Sequence, residues 1–455
     1  MNYYIWAKIA LILEFLLVIT YAAFFIFLIR KMSFFEAPGI SKTQLTGIFL
    51  FKILAGVSLW AVYTFYYTDR STADIYKYFD DSGVIYNALR SNPLDYLKML
   101  SGIGNDTPAF DGYYAEMHYW ARKPQSGIYN DSHTIIRFNA FVRLFSFGYF
   151  NVHTVVICFL SFCGLTAIYK TFQPHLQGKS TLLAAAVFLL PSVMFWGSGV
   201  LKEGLILFAL GVLIHAVNRF FSLRAVITAL LTGALLALSK FYVWLAILPG
   251  LLFLIWSNRT QHSRPFLKFF FILLIIAVAG LNIDRFSSIQ NPLVTLSQKQ
   301  LEFRSLATGN EKDAFLKPIA PAGSFLNIPN LEPTLSSFIR NSPQALSNVL
   351  FRPFIWESFS PFMLMAAIEN ILMIAFVILC IIFCKAFKEV QWSYFLFCFS
   401  FVIIQFLIIG ETTPVIGAIV RYKVPALPFL LIAFLFLLDS EKLLKRAPKL
   451  RRFIG

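Results

Sequence analysis

Ile5-Trp-Ala-Lys-Ile-Ala-Leu-Ile-Leu-Glu-Phe-Leu-Leu-Val-Ile-Thr-Tyr-Ala-Ala-Phe-Phe-Ile-Phe-Leu-Ile29 carries only two charges, Lys8 and Glu14. As a helix rising about 1.5 Å per residue, such a run outreaches the roughly 30 Å of hydrocarbon in a bilayer. No basic segment precedes it, and it is too long for the apolar part of a cleavable leader, so it reads as a membrane span.

The rest of the chain repeats that signal. Of its 455 residues, 58% are hydrophobic and 14% charged, and 51 are phenylalanine. Soluble domains hold roughly 45–50% apolar and 25% charged residues. Lipid must therefore be the solvent for most of this chain. Eleven spans are expected near 5–29, 45–67, 150–171, 181–197, 199–217, 225–239, 241–257, 266–282, 363–384, 392–410 and 424–438. The fold class is all-α, a polytopic helical membrane protein, with residues 1–455 as one integral membrane domain. There is no heptad seam, solenoid repeat or low-complexity tract. Cys158, Cys163, Cys380, Cys384 and Cys398 all sit in apolar runs. They offer neither a disulfide framework nor a zinc spacing.

With 39 Lys+Arg against 23 Asp+Glu, the formal charge is +16. On a soluble protein that would suggest a nucleic-acid partner. Here its placement decides. With the N-terminus outside and the spans alternating, the cytoplasmic side, Lys52 and the tail included, receives nineteen basic and four acidic residues, a net of +15. Cytoplasmic loops are enriched in Lys and Arg, so this orientation is the expected one. The charge then faces anionic membrane lipids, and nucleic acid is not needed to explain it. Two long extracytoplasmic loops follow, 68–149 and 283–362, and a basic cytoplasmic tail at 440–455. No G-x-x-x-x-G-K-[ST] phosphate loop is present, which argues against ATP as the driving ligand.

The first long loop opens on Asp69-Arg-Ser-Thr-Ala-Asp74-Ile-Tyr-Lys-Tyr78-Phe-Asp80-Asp81. On a helix Asp74 and Tyr78 share a face at i, i+4, and Asp81 follows a turn later. One of these carboxylates could act as general base on a hydroxyl, or several could hold a divalent cation. The competing reading is a solvated helix with Tyr and Phe as interfacial anchors. Pro191-Ser-Val-Met-Phe-Trp-Gly-Ser-Gly-Val-Leu-Lys202-Glu203 breaks a span and restarts a helix, which favours an anionic group such as phosphate. A lysine here could equally snorkel to water. Lys240, the Arg352-Pro-Phe-Ile-Trp-Glu357 segment followed by Glu369-Asn370, and Arg421-Tyr-Lys423 fall at outer membrane boundaries. Lys202, Lys240, Arg352, Arg421 and Lys423 thus share one expected depth, suited to a lipid-linked phosphate or pyrophosphate. His118 and His133, with Glu116 and Asp131 nearby, lack the i, i+4 spacing of a helical zinc site. Asn130-Asp-Ser132 has the form of a glycosylation acceptor. Glu14 has no partner that the sequence identifies.

A long outer loop opening on Asp74-x-x-x-Tyr78, followed by many helices, resembles the GT-C superfamily of polytopic glycosyltransferases that use polyprenyl-phosphate sugars. The segments 191–203, 352–357 and 421–429 are similar to those of multi-pass proteins from bacterial surface-polysaccharide loci. The likeness covers the architecture loosely and some 50 residues at motif level. It implies an inverting transfer from a polyprenyl-phosphate-linked sugar to a glycan or lipid acceptor, in a bacterial inner membrane. Asp74 would be the base, with Asp81 or Asp80 in reserve. Tyr78, Lys202, Glu203, Lys240, Arg352, Glu357, Arg421 and Lys423 would bind substrate. No cofactor is assigned, and a divalent cation stays open. The chain departs from the pattern in placing the loop after the second span and in lacking an adjacent Asp-Glu pair near Asp74. Polysaccharide polymerases of the Wzy and EpsG kind share the long outer loops and outer arginines. A lipid transporter or flippase would instead carry mid-membrane charges and inverted repeats.

Overall fold

In the computed structural model, residues 2–70, 72–120, 129–219, 222–286, 290–309, 321–358 and 360–450 are described. Arg451 and Arg452 of the basic tail, and stretches 121–128 and 310–320 of the two long loops, lie outside them. Among the described residues the chain is helical, with isolated bridges such as Phe325–Val415 but no strand.

Seven helices are long and apolar enough to cross a membrane: Ile9–Lys31, Lys42–Tyr66, Phe150–His175, Phe241–Arg259, Pro361–Ile382, Trp392–Thr412 and Ile416–Leu437. Leu223–Ser239 and Pro265–Leu281 are apolar but shorter. The expected spans at 181–197 and 199–217 appear as a broken pair, Ser180–Phe188 and Pro191–Trp196, and as the helix Lys202–Asn218. Pro191 marks that break, because it cannot supply a backbone N–H to a helix continuing through it. The last span starts earlier than its apolar core indicates, so Arg421 and Lys423 lie inside it rather than at its boundary.

The first span shows why lipid is required: Leu11, Phe15, Phe24 and Phe27 on it are all exposed. Exposed apolar surface on this scale would drive aggregation in water but matches hydrocarbon. The second span begins at a reciprocal cap. Ser41 accepts from Gln44 N, and the Gln44 side chain accepts from Ser41 N at 2.8 Å.

Contacts gather the chain into two compact units. The first comprises Met1–Lys123, Asn130–Thr166 and Met194–Ala209. Phenylalanines knit its membrane part: Phe25 stacks on Phe159 at 4.2 Å and Phe35 on Phe162 at 5.8 Å. Glu14 accepts from Asn151 N and Nδ2 at 2.9 and 3.0 Å, so its partner lies 137 residues away. Lys52, counted above with the cytoplasmic cations, is fully buried midway along its span. A span's interior holds any cation that faces protein rather than lipid, and loop position alone cannot reveal that.

The second unit comprises Pro124–Tyr129, Ala167–Val193 and Leu210–Gly455. Its core is again aromatic, with Phe172 among Tyr394, Phe397, Phe429 and Phe436. Lys179 donates to the carbonyls of Leu435 and Leu438, capping the helix Leu427–Leu437. Gly410 lets the helix Leu335–Phe351 lie directly on the span Trp392–Thr412, since a Cβ there would meet the backbone of Ala345. Backbone cannot yield as a flexible side chain does. Gly410→Leu is therefore expected to destabilise the fold by about 1–3 kcal/mol, the usual cost of overpacking, read as a lowered thermal midpoint in detergent.

Candidate functional site

Each unit holds a polar centre. In the first, the helix Asp74–Ser91 sorts the three candidate carboxylates by environment. Asp80 is partly exposed and grips Arg70 with both oxygens, Nε at 3.0 Å and NH2 at 2.6 Å. That pair ties the preceding turn to the helix. Asp81 is buried, 1% exposed. Its Oδ1 accepts from His118 N and Nδ1 at 2.8 and 3.0 Å, and its Oδ2 from Tyr119 N at 2.9 Å. Burial pushes its carboxyl above the ordinary range, and the bonds from His118 and Tyr119 pull it part of the way back. Asp81 and Asp80, the reserve bases of the sequence reading, are thus occupied in holding the loop together.

Asp74 differs. It opens the helix, is only partly buried, and accepts the Tyr119 hydroxyl at 2.5 Å. The Tyr119 ring lies 5.3 Å from that of Tyr78, and Tyr78 in turn lies 5.2 Å beneath the ammonium of Lys202. Lys202 donates to Asp131 Oδ1 at 2.6 Å and Ser132 Oγ at 3.2 Å. Asp74 and Tyr78, on one helix, and Lys202, far from them in sequence, therefore form one cluster through Tyr119. Glu203 follows Lys202 and is buried, 3% exposed. Tyr119 and the pairing role of Asp131 were missed in the sequence, where neither has a distinguishing pattern.

His133 stacks on Trp120 at 4.0 Å, and its Nε2 lies 2.9 Å from the Trp120 carbonyl. Asn130 donates to the Tyr119 carbonyl at 2.8 Å, so the amide of the glycosylation-like triplet is used within the fold. His118 and His133 thus serve separate contacts. Among the described residues no group of three or more His, Cys, Asp or Glu is arranged to hold a metal ion.

Burial lowers the pKa of His133 from the ordinary histidine value of 6.5 to about 4. Between those values the unfolded chain takes up a proton that the folded chain refuses, so stability falls as the pH drops through that window. The thermal midpoint is expected to decline from pH 7 to pH 4.5, with a shallower decline in His133→Gln.

The second unit brings together Lys240, Arg352, Glu357, Glu369, Asn370 and the 421–423 segment. Lys240 sits 4.6 Å over the Tyr422 ring and 5.4 Å over that of Tyr242. Arg352 pairs with Glu357 at 2.5 Å, and Glu357 also accepts from Phe354 N at 3.1 Å. Arg421, on the helix Ile416–Tyr422, is partly buried. Glu369 accepts from both the backbone N–H and the hydroxyl of Ser192.

Lys423 is 1% exposed and donates to Asn370 Oδ1 at 2.7 Å and to the carbonyls of Val349 and Arg352 at 3.2 and 3.3 Å. Asn370 Nδ2 donates to the Arg352 carbonyl at 2.9 Å. An ammonium has three N–H donors, and all three are taken at the C-terminal end of the helix Leu335–Phe351. In this arrangement the Lys423 ammonium caps that helix.

No protein-family model, curated protein or solved structure matches this chain.

Proposed function

We propose that the chain is an integral membrane glycosyltransferase that moves a sugar from a polyprenyl-phosphate donor to a glycan or lipid acceptor on the extracytoplasmic side. The observation that carries this reading is the first unit's cluster, in which the partly exposed carboxylate Asp74 and the cation Lys202 are linked through Tyr119 and Tyr78. Asp74 takes the proton of the acceptor hydroxyl. The acceptor oxygen bonds to the anomeric carbon from the face opposite the phosphate. The carbon–oxygen bond to phosphate breaks, and its electron pair leaves with the lipid phosphate, whose charge Lys202 offsets. Inversion at the anomeric carbon follows from that single displacement.

A GT-C-like arrangement of eleven spans is part of this proposal, with the N-terminus outside, the C-terminus cytoplasmic and a bacterial inner membrane as the setting. The seven helices long and apolar enough to cross a membrane, with two shorter apolar ones beside them, support the membrane part of this reading.

One observation favours a second reading, the polysaccharide polymerase. The second unit has its own polar groups, Lys240 over the Tyr422 ring and the Arg352–Glu357 pair. Two such sets of polar groups suit an enzyme that joins two lipid-linked oligosaccharides.

Reconstitution tests the proposal. Purified chain in liposomes is given a labelled polyprenyl-phosphate sugar and a lipid-linked acceptor, and transfer with inversion is expected. Unconsumed monosaccharide donor alongside joining of lipid-linked repeats would favour the polymerase. Consumption of neither substrate would overturn both readings.

A further inference from the structure

The helix Leu335–Phe351 falls in the second long loop, which the sequence places in water. Successive residues turn by about 100°, and its side chains sort into three faces on that basis. One face, Ser337, Asn341, Ala345 and Asn348 with Val349 at its edge, is buried and consists mainly of small or polar side chains. It packs on the span Trp392–Thr412, with Ala345 against Gly410. A second face is apolar: Leu335 and Ile339 are exposed, at 53% and 64%, and Leu346 and Leu350 are half-buried. A third, Ser336, Arg340, Gln344 and Ser347, is polar and exposed, with the exposed Phe351 at its C-terminal end. A helix on a water-bathed domain buries its leucines and exposes its polar side. This one buries polar groups and shows leucine and isoleucine outward.

Two further observations indicate what covers the apolar face. The helix ends at Lys423 and Asn370, which belong to two different spans. Asn370 stands nine residues, about 13 Å of helix rise, beyond the start of its own span at Pro361. The chain at Phe351–Arg352 therefore lies deeper than the end of that span. The same span also exposes Leu364, Ile368 and Ile371, which hydrocarbon must cover.

We infer that the helix Leu335–Phe351 is embedded at the membrane–water boundary, with Leu335, Ile339, Leu346 and Leu350 against lipid acyl chains and the Arg340 stripe toward headgroups and water. Interfacial amphipathic helices have this division of faces. Backbone that leaves a helix at membrane depth persists only where protein or a polar cavity surrounds it. The Lys423 cap supplies that protection here. The inference holds whichever reaction the chain performs.

Single-cysteine additions in the full chain, reconstituted in lipid nanodiscs, test it. A membrane-impermeant maleimide is expected to label Arg340→Cys and Gln344→Cys at least tenfold faster than Ile339→Cys and Leu335→Cys, with the unsubstituted chain as blank. Equal rates at all four positions would overturn the inference. A bimane placed on Ile339→Cys before reconstitution separates lipid from protein as the covering. Quenching by lipids with nitroxide on the acyl chain is expected. Protection from maleimide without quenching would indicate a second polypeptide and overturn the lipid assignment.

Discussion

Asp74→Asn is expected to cut sugar transfer by about 10²- to 10⁴-fold, the usual contribution of a positioned general base, while leaving the fold intact. The amide oxygen can still accept the Tyr119 hydroxyl, so the loop keeps its bond. What it cannot do is take a proton from an acceptor hydroxyl. The neighbouring carboxylates provide internal controls. Asp80→Asn weakens an exposed pair with Arg70, so transfer should stay within a few-fold of the parent. Asp81→Asn disturbs a buried acceptor of three hydrogen bonds, so its main effect should be a lower thermal midpoint. Initial rates with a labelled lipid donor, measured on protein of unchanged detergent behaviour, distinguish the three. A parental rate for Asp74→Asn would remove it from the reaction.

Lys423→Met is expected to cost about 3 kcal/mol of stability, because three acceptors would lose a charged donor in a setting without water. The acceptors are Asn370 Oδ1 and the Val349 and Arg352 carbonyls, all at the end of one helix. Methionine keeps the length of the side chain and removes the ammonium, so cavity formation adds little. Unfolding by heat or denaturing detergent provides the measurement. A phosphate ligand would behave differently: its loss would weaken donor binding and leave stability unchanged. That outcome would favour the phosphate-binding role expected for Lys423 from the sequence.

The membrane character of the chain was legible in the sequence because hydrophobicity is summed over runs of about 20 residues, and no tertiary contact is needed to detect it. The break before Lys202 was legible for a similar reason, since Pro191 and the glycines at 197 and 199 act on their own backbone. The short segments were harder. Pieces such as Ser180–Phe188 and Pro191–Trp196 look like one span when only apolarity is counted. The helix Leu335–Phe351 escaped for the opposite reason. Its serines, asparagines and Arg340 dilute the mean hydropathy, although its leucines and isoleucine gather on one face. The candidate site was half legible. Position near a membrane boundary selected Lys202 and Lys423 equally, but one meets Asp131 beside an aromatic cluster and the other is consumed as a cap. Spacing likewise grouped Asp74, Asp80 and Asp81, whose partners are Tyr119, Arg70 and the His118 segment.

The sequence by itself determined that this is a helical membrane protein and where its charged residues fall along the chain. Those are properties of composition and local periodicity, fixed by what lipid and water each tolerate. Only the tertiary structure decided which partner each charged group meets within the fold. That choice depends on partners as remote as Glu14 and Asn151, 137 residues apart, or Lys179 and Leu438, 259 apart. An ionic group's role is set by the donors and acceptors within about 3 Å of it, and chain order does not encode that neighbourhood.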